Sequence, residues 1–140
     1  MSDAPLTTAQ MQEMMAGSPF IAMCNIEVMS FDEETDTLTV RCPMRPEFER
    51  GPGSNQWHGG PIAAIIDTIG DCVLIMRLGR GIPTVNFRVD YFRPAIGTDL
   101  IVSASIRRLG RSVGVSDIDV TDESGRLIAI GRGTYSTAGG

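Results

Sequence analysis

The most sustained apolar pattern in the chain lies between Ile62 and Leu78. Ile62, Ile66, Ile69, Val73 and Met76 recur at steps of four, three, four and three, the period of one helix face. Ala63, Ala64, Ile65, Leu74 and Ile75 spread the apolar surface well beyond that stripe, which predicts a helix buried on nearly all sides. Gly79 and Gly81 mark its end, and Arg77 and Arg80 lie favourably against its dipole. The glycine-rich stretch Asn55-Gln56-Trp57-His58-Gly59-Gly60-Pro61 leads into its start.

Upstream, Thr7 and Gln10 fit a capping box, and Met11, Met14 and Met15 form the packing face of a short helix closed by Gly17, Ser18 and Pro19. Phe20 to Phe31 is apolar and predicts a strand. Thr37 to Met44 predicts another, because Leu38, Val40, Cys42 and Met44 alternate with Thr37, Thr39 and Arg41. The acidic link from Asp32 to Asp36 is a hairpin turn, and Met44 to Trp57 reads as loop. Beyond the long helix the pattern is β throughout: Thr84 to Arg93, Leu100 to Arg107, Ser112 to Val120 and Arg126 to Ser136. In the third of these the apolar phase slips from Val113 and Val115 to Ile118 and Val120, which predicts a bulge near Ser116. One long central helix wrapped by a curved six-stranded antiparallel sheet satisfies all these faces. The expectation is a single α+β domain over residues 1–140, with its core at about 20–136 and a short N-terminal helix.

Composition narrows the function classes. A chain of 140 residues with 42% hydrophobic content suits one globular domain. Net charge is −5, all twelve basic residues are arginine, and no basic block stands out, which argues against nucleic acid as a partner. Cys24, Cys42 and Cys72 are too widely spaced for a zinc knuckle or a CxxC pair, and with a single histidine no metal site is expected. An odd number of thiols in apolar surroundings points to a reducing cytoplasm. The first basic residue is Arg41, so a positively charged signal region is lacking. Asp67 and Asp71 interrupt the longest apolar run, which is therefore not a membrane span.

Those two acids are the chemical anomaly, because polar groups inside an apolar helix need a reason. They lie at i and i+4 and share one side. Gly59-Gly60 at the same helix's start can bring free backbone N–H groups close to a ligand and favour developing negative charge. An acid and an oxyanion site two turns apart form a usable hydrolytic pair. A carboxylate on such a helix should also have a raised pKa, which improves it as a base near neutral pH. Structural alternatives are that both acids pair with arginines or lie on a simply exposed edge, and that His58 is a loop residue bonded at the helix start. No GxSxG, P-loop or dinucleotide spacing is present.

His58-Gly59-Gly60 followed by Asp67 resembles the HGG…D signature of the PaaI-type hotdog-fold thioesterases. The segments 84–95, 108–112 and 125–134 resemble that family's later strands, so that the likeness covers about residues 20 to 136. The resemblance implies an acyl-coenzyme A substrate and no separate cofactor. It implies that the Gly59 amide, with Gly60 beside it, binds the thioester carbonyl, and that Asp67 is general base or nucleophile. Thr84 matches a hydroxyl that helps to hold water, and Asn55 a loop amide, although three residues before His58 is closer than the usual spacing. It further implies a site between subunits of a homo-oligomer, at least a dimer and further a tetramer built as a dimer of dimers. Arg107, Arg108 and Arg111 are the candidate partners of coenzyme A's phosphates. A hotdog enoyl-CoA hydratase or dehydratase using His58 with Asp67, and a non-catalytic acyl-CoA binder, are the competing expectations.

Overall fold

The computed structural model describes residues 4–139, so residues 1–3 and 140 of the expected domain lie outside the described residues. Helix α1 (Thr8–Ala16) begins with the predicted capping box: Oγ1 of Thr7 accepts from the Gln10 amide at 3.1 Å, and the Gln10 side chain accepts from the Thr7 amide at 2.8 Å. The next segment departs from expectation. Pro19–Cys24 is a helix, α2, and only Glu27–Asp32 is extended, as strand β1. Proline at the first helical position presets the backbone, and Asn25 closes the helix in the left-handed region at φ 53°. A run of six apolar residues carries too little periodicity to separate helix from strand.

Strand β2 (Thr37–Cys42) and a short 3-10 turn at Pro46–Phe48 precede α3 (Gly59–Leu78); β3 (Thr84–Tyr91), β4 (Leu100–Leu109), β5 (Val113–Thr121) and β6 (Leu127–Ser136) follow. The six strands form one antiparallel sheet in the order β1-β2-β4-β5-β6-β3. Helix α3 touches β2 through β6, so the sheet curves around it. Ile62, Ile65, Ile66, Ile69, Val73, Leu74 and Met76 are buried against Leu38, Val40, Val102, Ala104, Ile118 and Ile128. Each such aliphatic side chain contributes roughly 1.5–3 kcal/mol on leaving water, which makes this contact the main support of the fold.

Strand β5 corrects a second expectation. Gly114, Ser116, Ile118 and Val120 all point inward in unbroken alternation, with no slip. The extra residue is on the neighbouring strand: Ile106 pairs with Ser116 and Arg108 with Val115, leaving Arg107 over. Close approach of α3 explains the small inward residues. A Cβ at Gly114 would stand 3.0 Å from the Leu74 side chain, and one at Gly131 would stand 2.5 Å from Ile66. Size and not polarity decides these positions, which is why an apolar pattern misread them.

Candidate active site

The loop before α3 is held from several sides. Trp57 is buried, stacks on Phe48 with ring centroids 5.3 Å apart, and donates from Nε1 to the Thr98 carbonyl at 2.9 Å. Its backbone amide donates to the Ala95 carbonyl, also at 2.9 Å. His58 is the N-cap of α3: its Nδ1 accepts from the Gly60 amide at 2.9 Å, and its own amide donates to the Phe48 carbonyl at 2.8 Å. That leaves the proton of a neutral His58 on Nε2.

The first turn of α3 thus offers few amides to a ligand. The Gly60 N–H is taken by His58, and Pro61 has none. Among the described residues no acceptor is bonded to the Gly59 N–H. Tyr91, its hydroxyl kept protonated by burial, donates to the Gly59 carbonyl at 2.5 Å and so orients the peptide. A side chain at 59 would crowd that hydroxyl, since its Cβ would lie 3.3 Å away. Beside Gly59 lies a cavity of about 470 Å³ bordered by Arg50, Gln56, Tyr91, Phe92 and Arg93. Neither guanidinium forms an ion pair or hydrogen bond among the described residues.

Asp67 lies further along α3. Its Oδ1 accepts from Oγ1 of Thr84, 2.8 Å away on β3. Its main-chain carbonyl accepts from the Tyr135 hydroxyl at 2.8 Å. Tyr135 is fully buried beneath Gly70 and Gly133, and Ser116 donates to the Gly70 carbonyl at 2.9 Å. Two hydroxyls and two glycines therefore set the height of α3 over β5 and β6 at the turn that carries the acid. Asp71, one turn on, has a buried Oδ1 with no hydrogen-bond partner among the described residues. Desolvation, and then the charge of Asp67, push its pKa up to about 7. The raised pKa expected of a carboxylate on this helix is found at Asp71. Both acids border a second cavity, of about 380 Å³, walled by Met11, Met14, Met15 and Ile75.

Of the residues singled out in the sequence, Thr84 meets Asp67, and His58 meets Gly60. Gly59 and Asp67 do not meet: eight residues of helix put about 12 Å between them along the axis, and they border different cavities. Asn55, at φ 54°, is tied into its own turn. Its amide donates to Glu49 at 2.6 Å, and its carbonyl accepts from Gly97 at 2.9 Å. The amide side chain that borders the Gly59 cavity belongs to the next residue, Gln56. Arg107, Arg108 and Arg111 are exposed around the β4–β5 turn, at the far end of α3. There the Gly110 carbonyl accepts from Thr137 at 2.6 Å, and the Thr137 carbonyl accepts from Arg80, just past the helix, at 2.9 Å. Arg50, Arg93, Gln56, Tyr91 and Tyr135 escaped the sequence reading. For the two tyrosines, only strand register could have signalled a role.

Other reactive groups are not assembled for chemistry. The three cysteines are buried and unpaired, and burial raises the thiols of Cys42 and Cys72 far above their ordinary value. Among the described residues no group of three or more His, Cys, Asp and Glu could hold a metal ion. No helix there is long and apolar enough to cross a membrane.

The sequence profile of the Thioesterase superfamily matches residues 55–129, from the glycine loop into β6. The chain belongs to the Thioesterase superfamily. Acyl-coenzyme A thioesterase 13 of Homo sapiens is 32% identical over 99 residues, which cover 68% of this chain and 70% of that protein. The medium/long-chain acyl-CoA thioesterase YigI of Escherichia coli is 27% identical over 133 residues, 84% of each chain. The solved structure of the E. coli PaaI protein, from the phenylacetic acid degradation operon, superposes with a TM-score of 0.80. It covers 96% of this chain and 98% of its own at 21% identity, a likeness of fold. The hotdog architecture of these thioesterases is thus the architecture found here, and the chain is a thioester hydrolase.

Proposed function

We propose that the protein hydrolyses an acyl-coenzyme A thioester to the free acid and coenzyme A, at a site shared by two copies of the chain. The observation that carries this reading is the separation within one chain. The unengaged Gly59 amide and the Asp67 carboxylate are about 12 Å apart along α3, too far to act on one carbonyl. A second copy supplies the missing half, its Gly59 facing the Asp67 of the first. Edge strand β3 supports such pairing. Among the described residues its outer edge has no partner strand, and Val85, Phe87, Tyr91 and the adjoining Phe92 are 62%, 38%, 50% and 55% exposed.

In this arrangement the Gly59 N–H polarises the thioester carbonyl, a contribution of about 3 kcal/mol for one preorganised donor. Thr84 occupies Oδ1 of Asp67, which leaves Oδ2 for a water molecule. Asp67 takes a proton from that water as its oxygen adds to the carbonyl carbon, and the tetrahedral intermediate expels the thiolate as the C–S bond breaks. In the nucleophilic variant Oδ2 adds to the carbonyl carbon, the C–S bond breaks to release the thiolate, and water hydrolyses the resulting mixed anhydride. Thiolate is a good leaving group, so no strong general acid is needed. We assign coenzyme A's phosphates to Arg50 and Arg93 in preference to Arg107, Arg108 and Arg111, because the former border the Gly59 cavity. The hydratase alternative gains no support, since Nδ1 of His58 is already bonded to Gly60. The buried free thiols fit a cytoplasmic setting.

The test is thiol release from short, medium, long-chain and aryl acyl-CoA esters, with a no-substrate control for the native cysteines. Asp67→Asn removes the acid. Gly59→Pro removes the amide at a helix position whose backbone tolerates proline, the tip of the Tyr91 side chain yielding by a few tenths of an ångström. Each variant alone should be inactive, and an equimolar mixture after subunit exchange should recover about a quarter of wild-type turnover, because half the sites of each mixed dimer are intact. Wild-type turnover in Asp67→Asn, or an inactive mixture of exchanged subunits, defeats this reading.

A further inference from the structure

Two glycines in succession make a loose mount for a catalytic amide. Neither has a side chain to restrict φ and ψ, so the Gly59 N–H could swing through directions that miss a bound carbonyl. The structure removes that freedom from both sides. The peptide carrying the unengaged N–H, His58–Gly59, lies between two anchored neighbours. On one side the His58 amide donates to the Phe48 carbonyl at 2.8 Å. On the other, the Gly59–Gly60 peptide is gripped at both its ends: His58 Nδ1 accepts from its N–H at 2.9 Å, and the Tyr91 hydroxyl donates to its carbonyl at 2.5 Å. The histidine grip is local. The tyrosine grip comes from the last residue of β3, 32 positions away. That strand is laced to β6, where Tyr91 pairs with Ala129 and the next amide, of Phe92, donates to the Ile128 carbonyl at 2.8 Å. The phenol therefore acts from a fixed support. Within one protomer its ring is half exposed, so core packing does not account for the residue. Desolvation of the hydroxyl raises its pKa and keeps it in the donating form.

We propose that Tyr91 is a positioning residue for thioester hydrolysis, which through its bond to the Gly59 carbonyl holds the Gly59 N–H in line with the thioester oxygen. This rests on the thioesterase reading and adds a residue to its site. An oxyanion donor contributes in proportion to how well its direction is set before charge develops on the oxygen. Loss of the grip is therefore felt in the transition state and not in substrate binding.

The experiment measures kcat and KM of the wild type and Tyr91→Phe on the best acyl-CoA ester, with sedimentation velocity on the same samples. Phenylalanine keeps the ring and removes only the bond. The variant should assemble as the wild type does and lose about tenfold or more in kcat, with KM within about twofold. A second protein carries difluorotyrosine at position 91 alone, which preserves shape and bond but makes the phenol more acidic. It should match the wild type at acidic pH and lose activity on the alkaline side at a lower pH than the wild type does, because a phenolate no longer donates to the carbonyl. Wild-type kcat in Tyr91→Phe overturns the proposal, and so does a fall confined to KM. An unshifted pH profile in the difluorotyrosine protein also overturns it, and that profile decides alone if Tyr91→Phe fails to assemble. A wild type that cleaves no ester would instead remove the thioesterase reading, and the inference with it.

Discussion

The two edges of the sheet are treated differently. At β1 the Gln12 side chain, reaching across from α1, donates to the Ile26 carbonyl at 2.8 Å and accepts from the Val28 amide at 2.7 Å. One amide side chain stands in for a neighbouring strand, and a register shift between Val28 and Ser30 spoils further pairing. Edge β3 has no such cover among the described residues. It has Phe87 and Tyr91 half out in solvent, and it also supplies Thr84 to Asp67 and Tyr91 to Gly59. An edge closed by the chain's own side chain serves stability. An edge left open, and linked to both halves of the candidate site, serves association and catalysis together.

Charging the open edge should have the largest effect. Phe87→Arg should leave the protomer folded, convert the assembly to monomer in sedimentation velocity, and lower turnover at least about a hundredfold, because Gly59 and Asp67 then have no counterparts. A monomer with full activity would break the link between edge and site.

Next comes the second acid of α3, Asp71. The folded pKa of Asp71, about 7, exceeds its unfolded value of 3.8, so the folded state holds the extra proton. Its contribution is fully present below pH 3.8 and is lost as pH rises towards 7. Asp71→Asn should therefore match the wild type near pH 4 and exceed its stability by roughly 2–4 kcal/mol at pH 8, measured by denaturant unfolding at both values. The difference should grow between those pH values and level off above pH 7. An Asn variant less stable at pH 8 would contradict the burial assigned to this carboxyl.

Beneath the site, Gly70→Ala places a methyl group against the Tyr135 hydroxyl and Ser116, and should cost about 2 kcal/mol. By displacing the turn that carries Asp67 it should lower kcat more than it raises KM. At the closed edge, Gln12→Ala should cost about 1 kcal/mol, with oligomeric state and turnover unchanged. If it created larger assemblies, Gln12 would be guarding the edge as well as bracing it.

Legibility from sequence followed the range of the forces involved. The period-3.6 stripe of α3 and the alternation of β2 and β4 come from near neighbours, and both are found where the pattern put them. Residues 20–24 were misread because a proline at the helix start and a left-handed Asn25 outweigh apolar content over so short a span. Strand β5 was misread because Gly114 answers to Leu74 and Ser116 to Gly70, both far away along the chain on α3. Within the site, family likeness pointed to Thr84 as a hydroxyl that holds water, whereas its bond to Asp67, and the positions of Gln56, Arg50 and Arg93, emerged only once β3 and the loop before α3 were brought together.

By itself, then, the sequence determined the elements with strong local periodicity, the capping box at Thr7, and the pairing of a glycine-rich helix start with an acid two turns on. Spacing along the chain suffices for those. The local reading of His58 as a residue bonded at the helix start is borne out by its bond from the Gly60 amide, whereas the tertiary structure alone decided that Asp71, among the described residues, holds a buried unpaired oxygen. It also decided that Gly59 and Asp67 open into separate cavities. Hydrogen-bond partners and burial depend on which distant segments meet, and a helix of fixed rise keeps two of its own residues apart however well they match in chemistry.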